Sequence, residues 1–229
     1  MGGEGKIGQN IGRFLERQGI DFTSVARKSA SSSISFSSFI QIVKSNDSRL
    51  VINAGRLSCK NVFEFRDNAH KSTKIIHISS VAVYGNSVYS NIVAPINQYG
   101  KWKALEEKLF VSRFSVYVIR LANIYGGEPE TSGALGLYKE GKLEFFEVDE
   151  KGRGLVRDYI DIESFLSRLY VGLKNHERKI VNSSSGIGQT LSEFLSLRGI
   201  DISNLEEVKY DKGTSIRESI IDNNYEKKL

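Results

Sequence analysis

The chain has 229 residues, 40% of them hydrophobic and 26% charged, an ordinary globular composition for one domain or one domain with a small lobe. A single cysteine, Cys59, excludes an internal disulfide, no Cys/His cluster offers a metal site, and no apolar run reads as a membrane span or signal peptide, so a reducing, cytoplasmic setting is expected. The net charge of +5 and pI near 9.1 favour phosphorylated ligands over nucleic acid, because the lysines and arginines are spread along the chain.

Met1-Gly2-Gly3-Glu4-Gly5-Lys6-Ile7-Gly8 leads into a helix in which Ile7, Ile11, Phe14 and Leu15 recur at helical spacing, closed by Gly19. Phe22 to Ala26 reads as a short strand. Arg27, Lys28 and the Ser-rich stretch to Ser38 read as a loop. Phe39 to Val43 reads as helix, Leu50 to Ala54 as a buried strand, and Val62 to His70 as a short helix. Lys74 to Ser79 is a strand, Gln98 to Phe110 a helix and Val116 to Leu121 a strand. This alternation predicts an α/β fold with a doubly wound parallel sheet and right-handed crossovers. After Gly126 the rhythm changes. Leu135 to Lys139 reads as helix, Leu143 to Val148 as strand, Ile162 to Lys174 as an amphipathic helix, Lys179 to Asn182 as strand and Leu191 to Leu197 as helix. Residues 127–229 are therefore expected to form a small C-terminal α/β lobe, interleaved with the last strands of the sheet built by residues 1–126.

Three constellations carry chemistry. Gly2-x-x-Gly5-x-x-Gly8 opens a helix. Glycines there let the backbone turn tightly and approach a pyrophosphate seated on the helix N-terminus, with Lys6 and Ile7 in the same turn. The motif follows no strand, so the first strand of the sheet is missing from its place. About five to eight apolar-rich residues are expected to be encoded ahead of Met1. Arg27 and Lys28 end the Phe22 to Ala26 strand, the second of the sheet once the missing one is counted, where basic residues accommodate a 2′-phosphate, which predicts NADP over NAD. A solvated basic pair is the other reading. Tyr99 and Lys103, four apart, share one helix face, and Ser80 ends an apolar strand.

These stretches resemble the extended short-chain dehydrogenase/reductases, the NAD-dependent epimerase/dehydratase family of sugar-nucleotide enzymes, over nearly the whole chain. Gly2 to Gly8 resembles the family's glycine fingerprint, and Val51-Ile52-Asn53-Ala54-Gly55 its cofactor-bordering strand end. Ser79 to Gly85 resembles the Ser-Ser-x-x-Val-Tyr-Gly signature and Arg120 to Gly126 the next signature, whose Asn contacts substrate diphosphate. Arg157 to Asp161 resembles an Arg-Asp-Tyr-Ile-His-Val segment whose Arg binds nucleotide phosphates. Asn182 to Leu191 and Arg217 to Asn223 match two further segments. The resemblance implies a Rossmann-like dinucleotide domain, an NADP or NAD cofactor and a nucleotide-diphosphate sugar substrate. It makes Ser80, Tyr99 and Lys103 the catalytic set. Tyr99 is the general acid or base, Lys103 supplies a cation that favours the ionised phenol and bonds the nicotinamide ribose, and Ser80 orients the substrate oxygen. Asn123, Arg157 and Arg217 are the substrate-binding candidates, and Asn53, Ala54 and Gly55 border the cofactor.

Sugar 4,6-dehydratases of this kind carry an Asp-Glu pair where this chain has Val81 and Ala82, so dehydration is not expected. Epimerases and 4-keto reductases, enzymes of polysaccharide biosynthesis, both stay open. The family's homodimer uses the helix that this chain shortens at Val62 to His70. The alternative to an enzyme is a non-catalytic dinucleotide-binding regulator, or a degraded gene product that folds poorly.

Overall fold

The computed structural model describes residues 1–26, 33–44, 49–131, 133–175, 177–210 and 215–229. In chain order the elements are α1 (Lys6–Arg17), β1 (Ser24–Ala26), β2 (Ser33–Ser35), α2 (Phe36–Val43), β3 (Leu50–Asn53), α3 (Cys59–Asn68) and β4 (Lys74–Ser80). A 3-10 turn (Val81–Tyr84) precedes β5 (Ser87–Val88), α4 (Gln98–Val111), β6 (Ser115–Leu121) and β7 (Asn123–Tyr125). Then come α5 (Gly133–Lys139), β8 (Phe145–Val148), β9 (Val156–Asp161), α6 (Ile162–Asn175) and β10 (Lys179–Ser183). Last are β11 (Gly188–Thr190), α7 (Leu191–Ser196), β12 (Glu206–Lys209), β13 (Glu218–Ile220) and β14 (Glu226–Lys228).

The central sheet has the order β14-β10-β6-β4-β3, parallel throughout except for the antiparallel edge β14. Residues such as Ile75, Ile76, Val116, Val118 and Ile119 are at most 1% exposed, as expected for strands covered on both faces. One face packs on α1 and α6, through Ile11, Leu15, Phe165 and Leu169. The other packs on α2, α3 and α4, through Phe39, Val62, Phe65 and Phe110. This is the doubly wound arrangement that the β/α alternation predicts.

The Ser-rich stretch is not wholly loop. Ser33–Ser35 pairs in parallel with β1, and Ser35 caps α2 by accepting from the Ser38 amide at 3.1 Å. A short polar strand is held by its partner rather than by its composition, and serine is a preferred helix cap.

Where a first strand is expected, the backbone of Met1 and Gly2 lies between β3 and β1. The Met1 nitrogen donates to Ile52 O at 2.6 Å, and Met1 O accepts from Ala54 N at 3.0 Å. On the other side Gly2 N and Gly3 N donate to Val25 O at 3.0 and 3.2 Å.

A second sheet, β11-β9-β13-β5 with β7 also paired to β9, joins the C-terminal region to the end of the central sheet. Its knot is Asp158, fully buried. Its carboxylate accepts from Ser185 N at 2.7 Å, Ser185 Oγ at 2.8 Å, Gly186 N at 2.9 Å and Ile221 N at 3.4 Å. A third small cluster stacks Tyr159 on Phe194, ring centroids 3.9 Å apart, with Arg198 lying over Phe194. Burial pushes the Tyr159 phenol up to about 12. No described helix is long and apolar enough to cross a membrane.

Candidate functional site

A cleft of about 540 Å³ opens at the carboxyl ends of β3, β4 and β6, the crevice where open α/β sheets bind ligands. Its walls include Ile7, Gly55, Ser80, Tyr99, Lys103, Asn123 and Arg157. These residues come from six separate stretches of sequence.

The glycines set the first wall. Gly2 has φ +82°, and a Cβ on it would stand 2.5 Å from the backbone of Gly55. A Cβ on Gly8 would stand 2.1 Å from Gly2 O. Neither position admits a side chain without moving backbone. The loop therefore folds tightly against the end of β3 and delivers the start of α1 beside the cleft. The α1 N-cap is Gly5, with no side-chain cap and no acid in the first turn. The first amides of that helix are left for an anion. This loop fits a dinucleotide.

Tyr99 and Ser80 are brought together by one close approach. Asn97 caps α4 by accepting from the Gly100 amide at 2.8 Å, which starts the helix just before Tyr99. A Cβ on Gly100 would lie 2.3 Å from Ala82 O. Glycine there lets the first turn of α4 press on the turn that carries Ser80. Ser80 Oγ accepts from Ala82 N at 3.2 Å, so its hydroxyl hydrogen is free to donate. Tyr99 is 39% exposed, open to a ligand.

Lys103 lies deeper. Its ammonium ion-pairs with Glu106 at 2.9 Å and donates to Ile78 O at 3.2 Å. An ammonium has three N–H groups, so one is left for the cleft. Behind it Asn53 Nδ2 donates to His77 Nδ1 at 3.1 Å, and His77 Nε2 stands 3.9 Å from Glu106. Burial, and then the Lys103 cation, hold His77 well below its ordinary range, so it is neutral. With Asn53 donating to Nδ1, its proton sits on Nε2 facing Glu106. Burial raises the Glu106 carboxyl, opposed by Lys103. Asn53, expected to border the cofactor, is fully buried and spends its side chain on His77. Ala54 and Gly55 do line the cleft. The Lys103–Glu106 pair follows the i,i+3 helix rule and was readable from spacing.

Arg157 sits in the wall shared with a smaller cavity of about 300 Å³. It donates to the carbonyls of Val156 and Arg217, at 3.0 and 3.4 Å. Burial lowers it from the ordinary arginine range. It has no carboxylate within 4 Å among the described residues, and its neighbour Asp158 is occupied by the 185–186 turn and Ile221. Asn123 donates to Asp158 O at 3.2 Å, leaving its carbonyl oxygen for the cleft. Arg217 lies outside the cleft, its guanidinium 3.8 Å from Asp149. Arg27 and Lys28 fall outside the described residues, and no His/Cys/Asp/Glu cluster among the described residues could hold a metal.

Beneath the cleft a buried polar chain clamps the strand ends. Ser79 Oγ donates to Glu107 at 2.6 Å, and Arg120 pairs with Glu107 through two nitrogens at 2.7 and 3.0 Å. Arg120 also donates to Tyr84 Oη at 3.0 Å, which donates to Asn182 Oδ1 at 2.7 Å. Glu107 was not singled out in the sequence, and Tyr84 and Asn182 entered only as parts of matched segments, since the partners of all three lie far along the chain.

The fold is shared with solved structures of epimerases and dehydratases of sugar nucleotides. No family model and no curated protein matches the chain, but solved structures do. A UDP-glucose 4-epimerase of Thermus thermophilus, in complex with NAD, aligns with TM-score 0.76 at 16% identity, over 96% of this chain and 88% of that one. A dTDP-glucose 4,6-dehydratase of Bacillus anthracis, in complex with NAD, aligns with TM-score 0.73 at 16% identity, over 97% and 86%. A UDP-glucose 4-epimerase of Thermotoga maritima, with UDP-glucose, gives 0.72 at 19%, over 97% and 88%.

Proposed function

We propose that the chain is an NAD(P)-dependent epimerase or keto-reductase of nucleotide-diphosphate sugars. The observation that carries this reading is the single cleft in which Gly55, Ser80, Tyr99, Lys103, Asn123 and Arg157 converge. The glycine loop from Gly2 to Gly8, with Ala54 and Gly55, would hold the dinucleotide. When bound, the nicotinamide supplies reversible hydride transfer. Tyr99 moves the proton at the reacting sugar oxygen, as general base in oxidation and general acid in reduction. Ser80 points its free hydroxyl hydrogen at that oxygen. Lys103, anchored from behind by Glu106, offers its remaining N–H to the cleft. Arg157 binds the diphosphate, since its planar fork suits phosphate oxygens and no carboxylate lies within 4 Å of it among the described residues. Asn123 orients the same group. Val81 and Ala82 are buried and cannot move protons, which argues against dehydration. The structures in complex with NAD lend support to a nicotinamide dinucleotide, and Arg27 and Lys28 are the reason to favour NADP.

Fluorescence titration with NADPH and NADH in parallel comes first, and tighter NADPH binding is expected. Tyr99→Phe should then lower kcat by at least about a hundredfold on the sugar nucleotide that turns over, with dinucleotide affinity within about twofold of the parent. Retained turnover would remove Tyr99 from its role. Saturable binding with no turnover on any hydroxy- or keto-sugar nucleotide would favour the non-catalytic reading.

A further inference from the structure

The buried residues of α4 are Gly100, Lys103, Glu106, Glu107 and Phe110. Three of these five carry charge, where a helix packed on a sheet ordinarily turns apolar side chains inward. A buried charge is costly unless it is paired. Glu107 is spent on Arg120, through nitrogens at 2.7 and 3.0 Å. That leaves Glu106, fully buried, as the one carboxylate paired with Lys103 among the described residues, at 2.9 Å.

Little competes for that carboxylate. The charged or titratable groups that face it are Lys103 on α4 itself, His77 from β4 and Arg56 just past β3. His77 is neutral, and its Nε2 at 3.9 Å lies beyond hydrogen-bond reach. Arg56 is exposed and acts on Glu106 through its charge. Arg120 of β6 and Tyr84 of the 3-10 turn bond each other and Glu107. α3 meets α4 through Phe65 on Phe110, ring centroids 5.9 Å apart.

Lys103 is only 4% exposed. Burial by itself disfavours an ammonium, and a carboxylate at hydrogen-bond distance offsets that. Its other partner, Ile78 O at 3.2 Å, is a carbonyl without net charge. Lys103 lines the cleft and Glu106 does not, so the pair runs from the interior outward.

We propose that Glu106 is a positioning residue: as counter-charge it keeps Lys103 an ammonium inside the fold, and by holding one N–H it leaves another aimed at the cleft. Its part in the reaction rests on the roles proposed above for Lys103 and Tyr99. Without the carboxylate charge, Lys103 loses its proton at lower pH. A neutral amine no longer favours the ionised Tyr99 phenol, so turnover fails first on the alkaline side.

The test has two arms. In the first, the lysines carry carbon-13 at Cε, and the Lys103 signal, assigned by its loss in Lys103→Arg, is followed by NMR against pH. Its midpoint should be at least about 1 pH unit lower in Glu106→Gln than in the parent, and close to the parent's in Glu106→Asp, which keeps the charge. Glu106→Met takes the place of Glu106→Gln should that variant not fold. An equal midpoint in the parent and the uncharged variant would overturn the proposal. The second arm follows kcat against pH on the sugar nucleotide that turns over. The alkaline limb should move to lower pH by a similar amount in Glu106→Gln and return towards the parent's in Glu106→Asp. A drop of equal size at every pH, or an unmoved limb beside a lowered Lys103 midpoint, would overturn the positioning role. A parent without turnover would defeat the function proposed above, while the first arm would still decide what holds the charge on Lys103.

Discussion

The two sides of the central sheet treat buried charge in opposite ways. Under β4, β6 and β10, Glu107 meets Arg120 through two nitrogens and every neighbour is tied in, from Ser79 to Asn182. Between β3 and β1, the buried Met1 nitrogen meets one carbonyl and an open cavity, and burial keeps it uncharged near neutral pH. The first side fixes strand ends to within hydrogen-bond tolerance, where the catalytic candidates need precision. The second holds the glycine loop by backbone bonds to β1 and β3, with open space behind it.

The sharpest way to break this contrast is to cut the clamp. Glu107→Ala strands the Arg120 guanidinium in the core, an effect of about 3–5 kcal/mol. Urea denaturation should show it, and a loss under about 1 kcal/mol would mean that the clamp is not the rigid side. Next comes pH. Burial holds the Met1 ammonium down at about 5 against its ordinary 8.0. Above pH 8 the amine is neutral in both states and contributes nothing. Between 8 and 5 the unfolded chain binds a proton that the folded chain refuses. Stability should fall as pH falls through that window and level off below it, by roughly 4 kcal/mol in all. Acetylating the amine should remove this slope, and an unchanged slope would assign it to other groups. The last contrast is in side-chain packing. Ile119→Ala, fully buried in the clamped half, should cost about 2–5 kcal/mol. Ile42→Ala, 37% exposed beside the cavity, should cost under about 1 kcal/mol. Similar values for the two, by denaturation midpoint, would erase the distinction.

The clamped half was the legible half. Strands such as Ile75–Ser79 are buried on both faces, so their apolar runs announce them, and the helices between them follow 3.6-residue spacing. The second sheet was not legible. Gly188–Thr190 carries no apolar signal, and neither does Glu226–Lys228 at the edge of the central sheet, because partners elsewhere in the chain define them. Ser33–Ser35 read as loop for the same reason. At the site, the positions of Ser80, Tyr99 and Arg157 could be anticipated from local motifs. What could not be read was the environment of each: the close approach of Gly100 to Ala82, the burial of the Lys103–Glu106 pair, and the absence of a carboxylate within 4 Å of Arg157 among the described residues. Those depend on contacts made across the fold.

Asp158 carries a consequence for the order in which the chain assembles. Its carboxylate bonds residues 27, 28 and 63 positions later in sequence, so each bond must close a long loop before it returns any stability. The four-strand path through β9 is thus a late-forming unit. Asp158→Asn should accelerate unfolding far more than it slows refolding in stopped-flow chevrons. A slowed refolding limb would instead put the knot in the nucleus. In a folding chain the central sheet is then built first, and the wall that carries Arg157 closes over it last.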